Sequence, residues 1–247
     1  MGLMEIWGHR GAYDHAPENT LTGFQLAVNM DADGVEFDVQ LTRDNELVVI
    51  HDETVDRTSN GSGYVKDFTL SELKKLNFNK KGITNPKFME IPTLAEVFEL
   101  LKPTALTINV ELKTGVIFYE GIEALALETA RKYDILDRIV WSSFNHFTVQ
   151  KVKQLEPQAE TALLCSGEIF VTGEQCEKTG ASALHPHIKQ LNYPGLIKDC
   201  HSRGIKVRTW TVNEPEQFEI AKDSKVDVIC TNRIDAAIKE LRGNDNR

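Results

Sequence analysis

Four short clusters between residues 9 and 52, about a sixth of the chain, carry side chains suited to one kind of chemistry: His9-Arg10, Glu18-Asn19-Thr20, Glu36-Phe37-Asp38 and His51-Asp52. Two imidazoles titrating near neutral pH can act as acid and base. Carboxylate oxygens suit a hard divalent cation, which in turn binds phosphate oxygens. An arginine offers the same anion a planar fork of donors. Together these are the parts for metal-assisted hydrolysis of a phosphoester.

Glu36 and Asp38 are two residues apart, so a strand projects both from one face. Like charges placed there repel unless a cation or strong donors compensate. A lone E-x-D is more often a solvated strand face. Here Val35, Phe37 and Val39 fill the opposite face, and Glu111 ends a later apolar run. The three carboxylates therefore read as a metal site, better suited to Mg²⁺ or Ca²⁺ than to zinc, with Mn²⁺ also compatible. Lys113 shares the strand face of Glu111 and can reach a phosphate oxygen. A single strand-end histidine such as His9 is usually held by backbone groups; a second one at His51, near the acidic pair, favours a chemical role.

Nine apolar runs, at 5–9, 34–41, 47–50, 105–112, 138–143, 161–165, 181–185, 205–210 and 226–230, alternate with helical patterns such as 20–30 and 117–132. Such alternation predicts a parallel sheet covered by helices. Runs 34–41 and 47–50 leave no room for a crossover helix, so they form a hairpin around an Asp44-Asn45 turn, which places His51 opposite Asp38. Counting that hairpin as one strand leaves eight. The expectation is an α/β chain, a (β/α)8 TIM barrel, with its chemical groups at the carboxyl ends of the strands. Residues 1–247 are expected to form one barrel domain. Residues 52 to about 92, too long for an ordinary connection, form a small insertion after the hairpin, a lid or wall. Asn19 is placed to cap the first helix.

The length of 247 residues suits one such barrel. No apolar run reaches the roughly 18 residues of a membrane helix, so no stable membrane insertion is expected. The start shows no basic segment followed by an apolar run, which makes a cytoplasmic location the expectation. Cys165, Cys176, Cys200 and Cys230 lack C-x-x-C spacing and read as buried free thiols. A net charge of −9, from 37 acidic and 28 basic residues, argues against a nucleic-acid partner. An anionic substrate must then be met by a local positive centre, which a cation with Arg10 and Lys113 supplies. Assembly into a homo-oligomer is left open.

His9-Arg10-Gly11, Pro17-Glu18-Asn19-Thr20, Glu36-Phe37-Asp38-Val39, Thr42-Arg43-Asp44 and Val48-Val49-Ile50-His51-Asp52 occur in an order that closely resembles the glycerophosphodiester phosphodiesterase family, of the cytoplasmic bacterial type. Asp56-Arg57-Thr58, Ile91-Pro92-Thr93-Leu94, Glu111-Leu112-Lys113 and Thr209-Trp210-Thr211-Val212-Asn213 extend the match over almost the whole chain. The resemblance implies that His9 and His51 are the acid–base pair, Arg10 a phosphate ligand, and Glu36, Asp38 and Glu111 the site of one divalent cation. It implies a small-molecule glycerophosphodiester substrate, split into sn-glycerol 3-phosphate and an alcohol such as choline or ethanolamine.

Several residues stay open at this level. Asp52 either orients His51 or caps the next turn; Glu18 either holds Arg10 or binds the helix start. Trp210 packs on the glycerol carbon edge or is plain core. Asn213 reads first as a helix cap, and His185 and His187 as loop histidines. Two rival functions stand beside the main one. A lysophospholipase D is favoured if the 52–92 segment exposes an apolar lip rather than burying Phe68, Leu70, Leu73, Leu76 and Phe78 as its own core. A noncatalytic phosphoester-binding barrel is the other, since a fold alone does not establish chemistry.

Overall fold

A computed structural model describes residues 3–82, 87–167 and 171–243. Strand β1 (Glu5–His9) leads through helix α1 (Leu21–Asn29) to β2 (Gly34–Leu41), and β3 (Leu47–Val49) folds back on it. After the short α2 (Leu70–Leu73) and α3 (Leu94–Leu101), strands and helices alternate: β4 (Thr107–Leu112), α4 (Ile122–Tyr133), β5 (Ile139–Ser143), α5 (His146–Leu155), β6 (Glu160–Cys165) and α6 (Gly173–Thr179). They continue with β7 (Ala183–Pro186), α7 (Leu196–Ser202), β8 (Lys206–Thr209), α8 (Pro215–Ser224), β9 (Val228–Thr231) and α9 (Ile234–Arg242). Around the sheet the order is β1-β9-β8-β7-β6-β5-β4-β2, and β1 pairs with β2 to close it. Eight parallel strands thus make the expected (β/α)8 barrel, with β3 as the antiparallel surplus strand.

Period-two alternation decides what each strand offers the site. On β2, Val35, Phe37, Val39 and Leu41 join Phe24, Ala27, Val97 and Phe98 in the layer between sheet and helices. Glu36, Asp38 and Gln40 are thereby turned to the barrel interior. Lower in the barrel, Trp7, Val140, Ala162, Ala183 and Val228 form a separate buried cluster. It is the apolar floor on which a polar mouth can be built. Truncating Phe37 to Ala would open a cavity at about 3–5 kcal/mol, enough to consume much of a domain's stability.

The hairpin differs from the expectation by one residue. Its loop is Arg43-Asp44-Asn45, closed by Thr42 N–H to Glu46 O at 3.0 Å, with Asn45 left-handed at φ 61°. A three-residue loop ending in a left-handed residue shifts the pairing relative to a two-residue turn. Val39 therefore pairs with Val49, and Ile50, not His51, stands opposite Asp38. His51 reaches the mouth by another route. The Gln40 side-chain amide lies 2.7–3.1 Å from the carbonyls of Ile50, His51 and Asp52 and bends the chain there.

Two further expectations are corrected, and one open alternative is decided. Thr20, not Asn19, caps α1 by accepting from Gly23 N–H, which frees the Asn19 side chain. Helix α4 begins at Ile122 rather than 117, after a left-handed Gly121. In the segment after β3, Val55, Val65, Leu73 and Phe78 pack with Val48, Ile50 and Ile91, with Phe68, Leu70 and Leu76 at the edge. Those apolar residues are the segment's own core, so no apolar lip forms from them. Residues 83–86 of the expected 52–92 insertion lie outside the described residues. Among the described residues, no helix is long and apolar enough to cross a membrane.

Candidate active site

At the end of β1 the chain must turn sharply, and Arg10 and Gly11 do so with φ of 54° and 83°. A Cβ on Gly11 would lie 2.8 Å from the Gly23 backbone of α1, so only glycine fits. That close approach holds His9 and Arg10 over the barrel mouth. The Arg10 N–H donates to Glu36 Oε2 at 3.0 Å, fastening the turn to β2.

A cavity of about 130 Å³ opens at the carboxyl ends of the strands, and His9, Arg10, Glu36, Asp38, His51, Glu111 and Trp210 all line it. Lys113 stands beside it, 3.2 Å from Glu111 and 3.9 Å from Asp38. A larger cavity, about 380 Å³, lies at the amino ends, between Leu3, Lys206 and Lys225 among others. It holds none of the residues singled out from sequence, and barrel sites belong to the carboxyl ends.

One ligand atom each from Glu36, Asp38 and Glu111 lies within 4.8 Å of the others, and all three residues are buried. Burial raises Glu36 well above the usual carboxylate range, helped by repulsion from Asp38 and Glu111. Burial also raises Glu111, against the pull of Lys113. For Asp38 burial acts upward too, but the charges of Arg10 and Lys113 and the amide of Asn19, 2.9 Å from Oδ2, hold it low. Its Oδ1 is buried without a hydrogen-bond partner. Crowded carboxylates of raised pKa around an unpartnered oxygen are what a hard cation would relieve. The donor set fits one.

Each imidazole is held by its Nδ1. His9 Nδ1 lies 2.6 Å from Asn232 Oδ1, which leaves Nε2, 3.9 Å from Glu36, toward the cavity. Burial and the neighbouring Arg10 charge lower His9 to about 4. His51 Nδ1 lies 2.6 Å from Asp52 Oδ1. The Arg57 guanidinium, 2.6 Å from Asp52, lowers that carboxyl to about 2 despite partial burial. Arg57 also grips Glu18, and Glu18 accepts from Arg10 at 2.8 Å. A continuous chain of charges thus runs Asp38–Arg10–Glu18–Arg57–Asp52 and meets the His51 imidazole at its end. Asp52 orients His51, and Glu18 holds Arg10.

Trp210 follows β8, donates from Nε1 to the His185 carbonyl at 2.9 Å, and meets Phe144 edge-on at 5.5 Å. His185 lies within β7 rather than in a loop, buried against the cavity. Asn213 is not a cap: Glu214 caps α8, and Asn213 Oδ1 accepts from Asn232 N–H, steadying the residue that holds His9. Sequence reasoning passed over Asn232, although its place just after the last strand was a usable signal. Arg57 lies in the Asp56-Arg57-Thr58 match, where spacing alone assigns it no role. Asn19 resembles a cap in sequence, since its bond to Asp38 joins a loop to a distant strand and leaves no local pattern.

A sequence model of the glycerophosphoryl diester phosphodiesterase family matches residues 9–236. Over 237 residues the chain is 40% identical to a glycerophosphodiester phosphodiesterase of Caldanaerobacter subterraneus subsp. tengcongensis, covering 96% of this chain and 97% of that one. It is 36% identical over 239 residues to a glycerophosphodiester phosphodiesterase of Bacillus altitudinis, covering 96% and 98%. The solved structure of an Oleispira antarctica phosphodiesterase, in complex with the product sn-glycerol-3-phosphate, is similar with a TM-score of 0.83 at 28% identity, covering 96% and 97%.

Proposed function

The chain belongs to the glycerophosphoryl diester phosphodiesterase family, and from that premise we propose that it hydrolyses glycerophosphodiesters to sn-glycerol 3-phosphate and an alcohol, with one divalent cation at Glu36, Asp38 and Glu111. The observation that carries this reading is the cavity itself: three crowded carboxylates, a guanidinium and two imidazoles fixed through Nδ1 face one space. A bound Mg²⁺, Ca²⁺ or Mn²⁺ would neutralise the carboxylates and draw charge from the phosphate oxygens. The Oleispira structure, in complex with sn-glycerol-3-phosphate, supports the product side of the reading.

Arg10 and Lys113 hold phosphate oxygens. His9 is the base: its Nδ1–H is taken by Asn232, and its neutral Nε2 takes the proton of the attacking hydroxyl. That hydroxyl is the glycerol 2-hydroxyl, so an O–P bond forms to a cyclic phosphate while the P–O bond to the alcohol breaks. His51 gives its Nε2 proton to the departing alcohol, and Asp52 stabilises the ring while it carries charge. Water then opens the ring with the two histidines exchanging roles, which restores both. Direct attack by water uses the same groups. The indole of Trp210 packs on the glycerol carbon edge.

A second reading, lysophospholipase D activity, is favoured by one observation away from the 52–92 segment. Val116, Phe118 and Phe147 are 78%, 71% and 79% exposed. The loop after β4 and the first turn of α5 that carry them are tied side by side by Thr114 Oγ1 to Thr148 Oγ1 at 2.7 Å and Asn145 Nδ2 to the Thr114 carbonyl at 3.3 Å. Phe144 carries this apolar rim down to the cavity. We further take residues 1–247 as one barrel domain with its insertion at about 52–92, working in the cytoplasm. A coupled assay for glycerol 3-phosphate release, run over glycerophosphodiesters and lysolipids with and without EDTA, tests both readings. Release from none of them overturns the proposal.

A further inference from the structure

We infer that His185 reads the terminal hydroxyl of the glycerol moiety, donating to it from Nδ1, and so sets the preference for glycerol over its deoxy analogue. The inference rests on the proposed hydrolysis and adds the residue that selects the invariant half of the substrate.

Strand β7 lies four steps from β2 in either direction around the barrel, so His185 faces the carboxylates from across the mouth. The side chain is 4% exposed, yet it lines the cavity. Its Nε2 lies 3.4 Å from Arg208 Nη1. A guanidinium can only donate, so Nε2 accepts, and the proton of the neutral ring sits on Nδ1. Arg208 is itself fixed, with Nη2 on Glu160 and its guanidinium 5.0 Å from the Trp7 ring. The tautomer is therefore set by the barrel floor.

The Nδ1–H finds no protein partner among the described residues. Nδ1 opens on the cavity rather than lying sealed in the protein, so a ligand that covered it without offering an acceptor would bury an unpaired donor, at about 1–3 kcal/mol. The surrounding walls, Leu164, Phe144 and Trp210, are carbon surfaces suited to the C–H faces of a polyol. The anionic end of the substrate is claimed by Arg10 and Lys113 on the far side, and the charge of Arg208 is paired with Glu160. What reaches His185 is thus the atom farthest from phosphorus, the terminal hydroxyl. The variable alcohol leaves by the open rim, because the floor is closed by Trp7 and Arg208. One backbone unit positions both recognition elements, since the His185 carbonyl also anchors the Trp210 indole at 2.9 Å.

The test compares kcat/KM for glycerophosphocholine with that for the phosphocholine diester of propane-1,2-diol, which lacks only the terminal hydroxyl. The native enzyme should prefer the parent by about tenfold or more, the effect of leaving a buried donor unpaired. His185→Phe should shrink that ratio to about two, and His185→Gln, which keeps a donor, should restore part of it. Equal turnover of both diesters by the native enzyme overturns the inference without any variant. So does an unchanged ratio in a folded His185→Phe enzyme, or an equal loss on both substrates, which marks a structural role. No turnover of any glycerophosphodiester by the native enzyme would instead remove the proposed hydrolysis, and this inference with it.

Discussion

From β1 to β4 the barrel mouth is a chain of ionised groups, each tied to the next, whereas across the barrel it is Phe144, Leu164 and Trp210 around a neutral His185. The charged half is positioned by electrostatics: Arg10 and Arg57 each sit between two carboxylates. Removing one partner strands a buried charge, so errors there are expensive. The apolar half is positioned by packing and by backbone bonds such as Trp210 to His185. Changes there alter shape rather than charge balance. The contrast suggests a division between groups that drive a reaction and groups that choose what reacts.

The largest effect should come from breaking the charged half at its centre. Excess EDTA should abolish turnover, with Mg²⁺, Mn²⁺ or Ca²⁺ restoring it. Asp38→Asn should cost at least about a thousandfold, since a lost cation forfeits several kcal/mol of charge stabilisation. Full activity in chelator would break the comparison at once. Next, His9→Ala or His51→Ala should cost on the order of 10²–10⁴ in rate. The pH profile should be bell-shaped and belong to the pair. A nitrophenyl ester, whose leaving group barely needs an acid, should partly rescue the His51 variant but not the His9 variant. Rescue of the opposite one reverses the roles. Asn232→Ala removes only the partner of His9 Nδ1 and should cost about tenfold, one hydrogen bond to a working group.

A smaller effect should appear in stability on the apolar side. Burial and the Arg208 charge hold His185 well below its ordinary 6.5. The folded protein keeps the ring neutral while the unfolded chain takes up a proton. This contribution is complete above pH 6.5 and is lost as pH falls below it, at about 1.4 kcal/mol per pH unit. The raised Glu36 and Glu111 act in the opposite sense, so total stability is not the readout. In chelator, denaturant melts between pH 6.5 and 5 should instead show a flatter acid loss for His185→Phe than for the native chain. Parallel curves would mean that His185 is protonated when folded. The smallest change is expected at the rim. Phe147→Ser with Phe118→Ser should lower activity on lysolipids a few-fold, an apolar-contact effect, and leave glycerophosphocholine untouched. An equal loss on both would give the rim a structural role.

Much of this was legible in the residues alone because it depends on local geometry. A period of two puts Glu36, Asp38 and Gln40 on one face whatever lies around them, and the alternating runs announce an eightfold barrel with its chemistry at the strand ends. Other features depended on which distant groups meet. The left-handed Asn45 shifted the hairpin and left Gln40 to steer His51 into place. Asn19 bonded Asp38 because Thr20 took the cap. Arg57 joined Glu18 to Asp52 across 39 and 5 residues of chain. His9 found Asn232 across 223 residues, a contact that exists only because β1 closes against β9. The sequence by itself determined which side chains face inward, since that follows from strand periodicity. Only the closed barrel decided who holds them, because hydrogen-bond partners far apart in the chain are chosen by closure and register, and no local pattern records either.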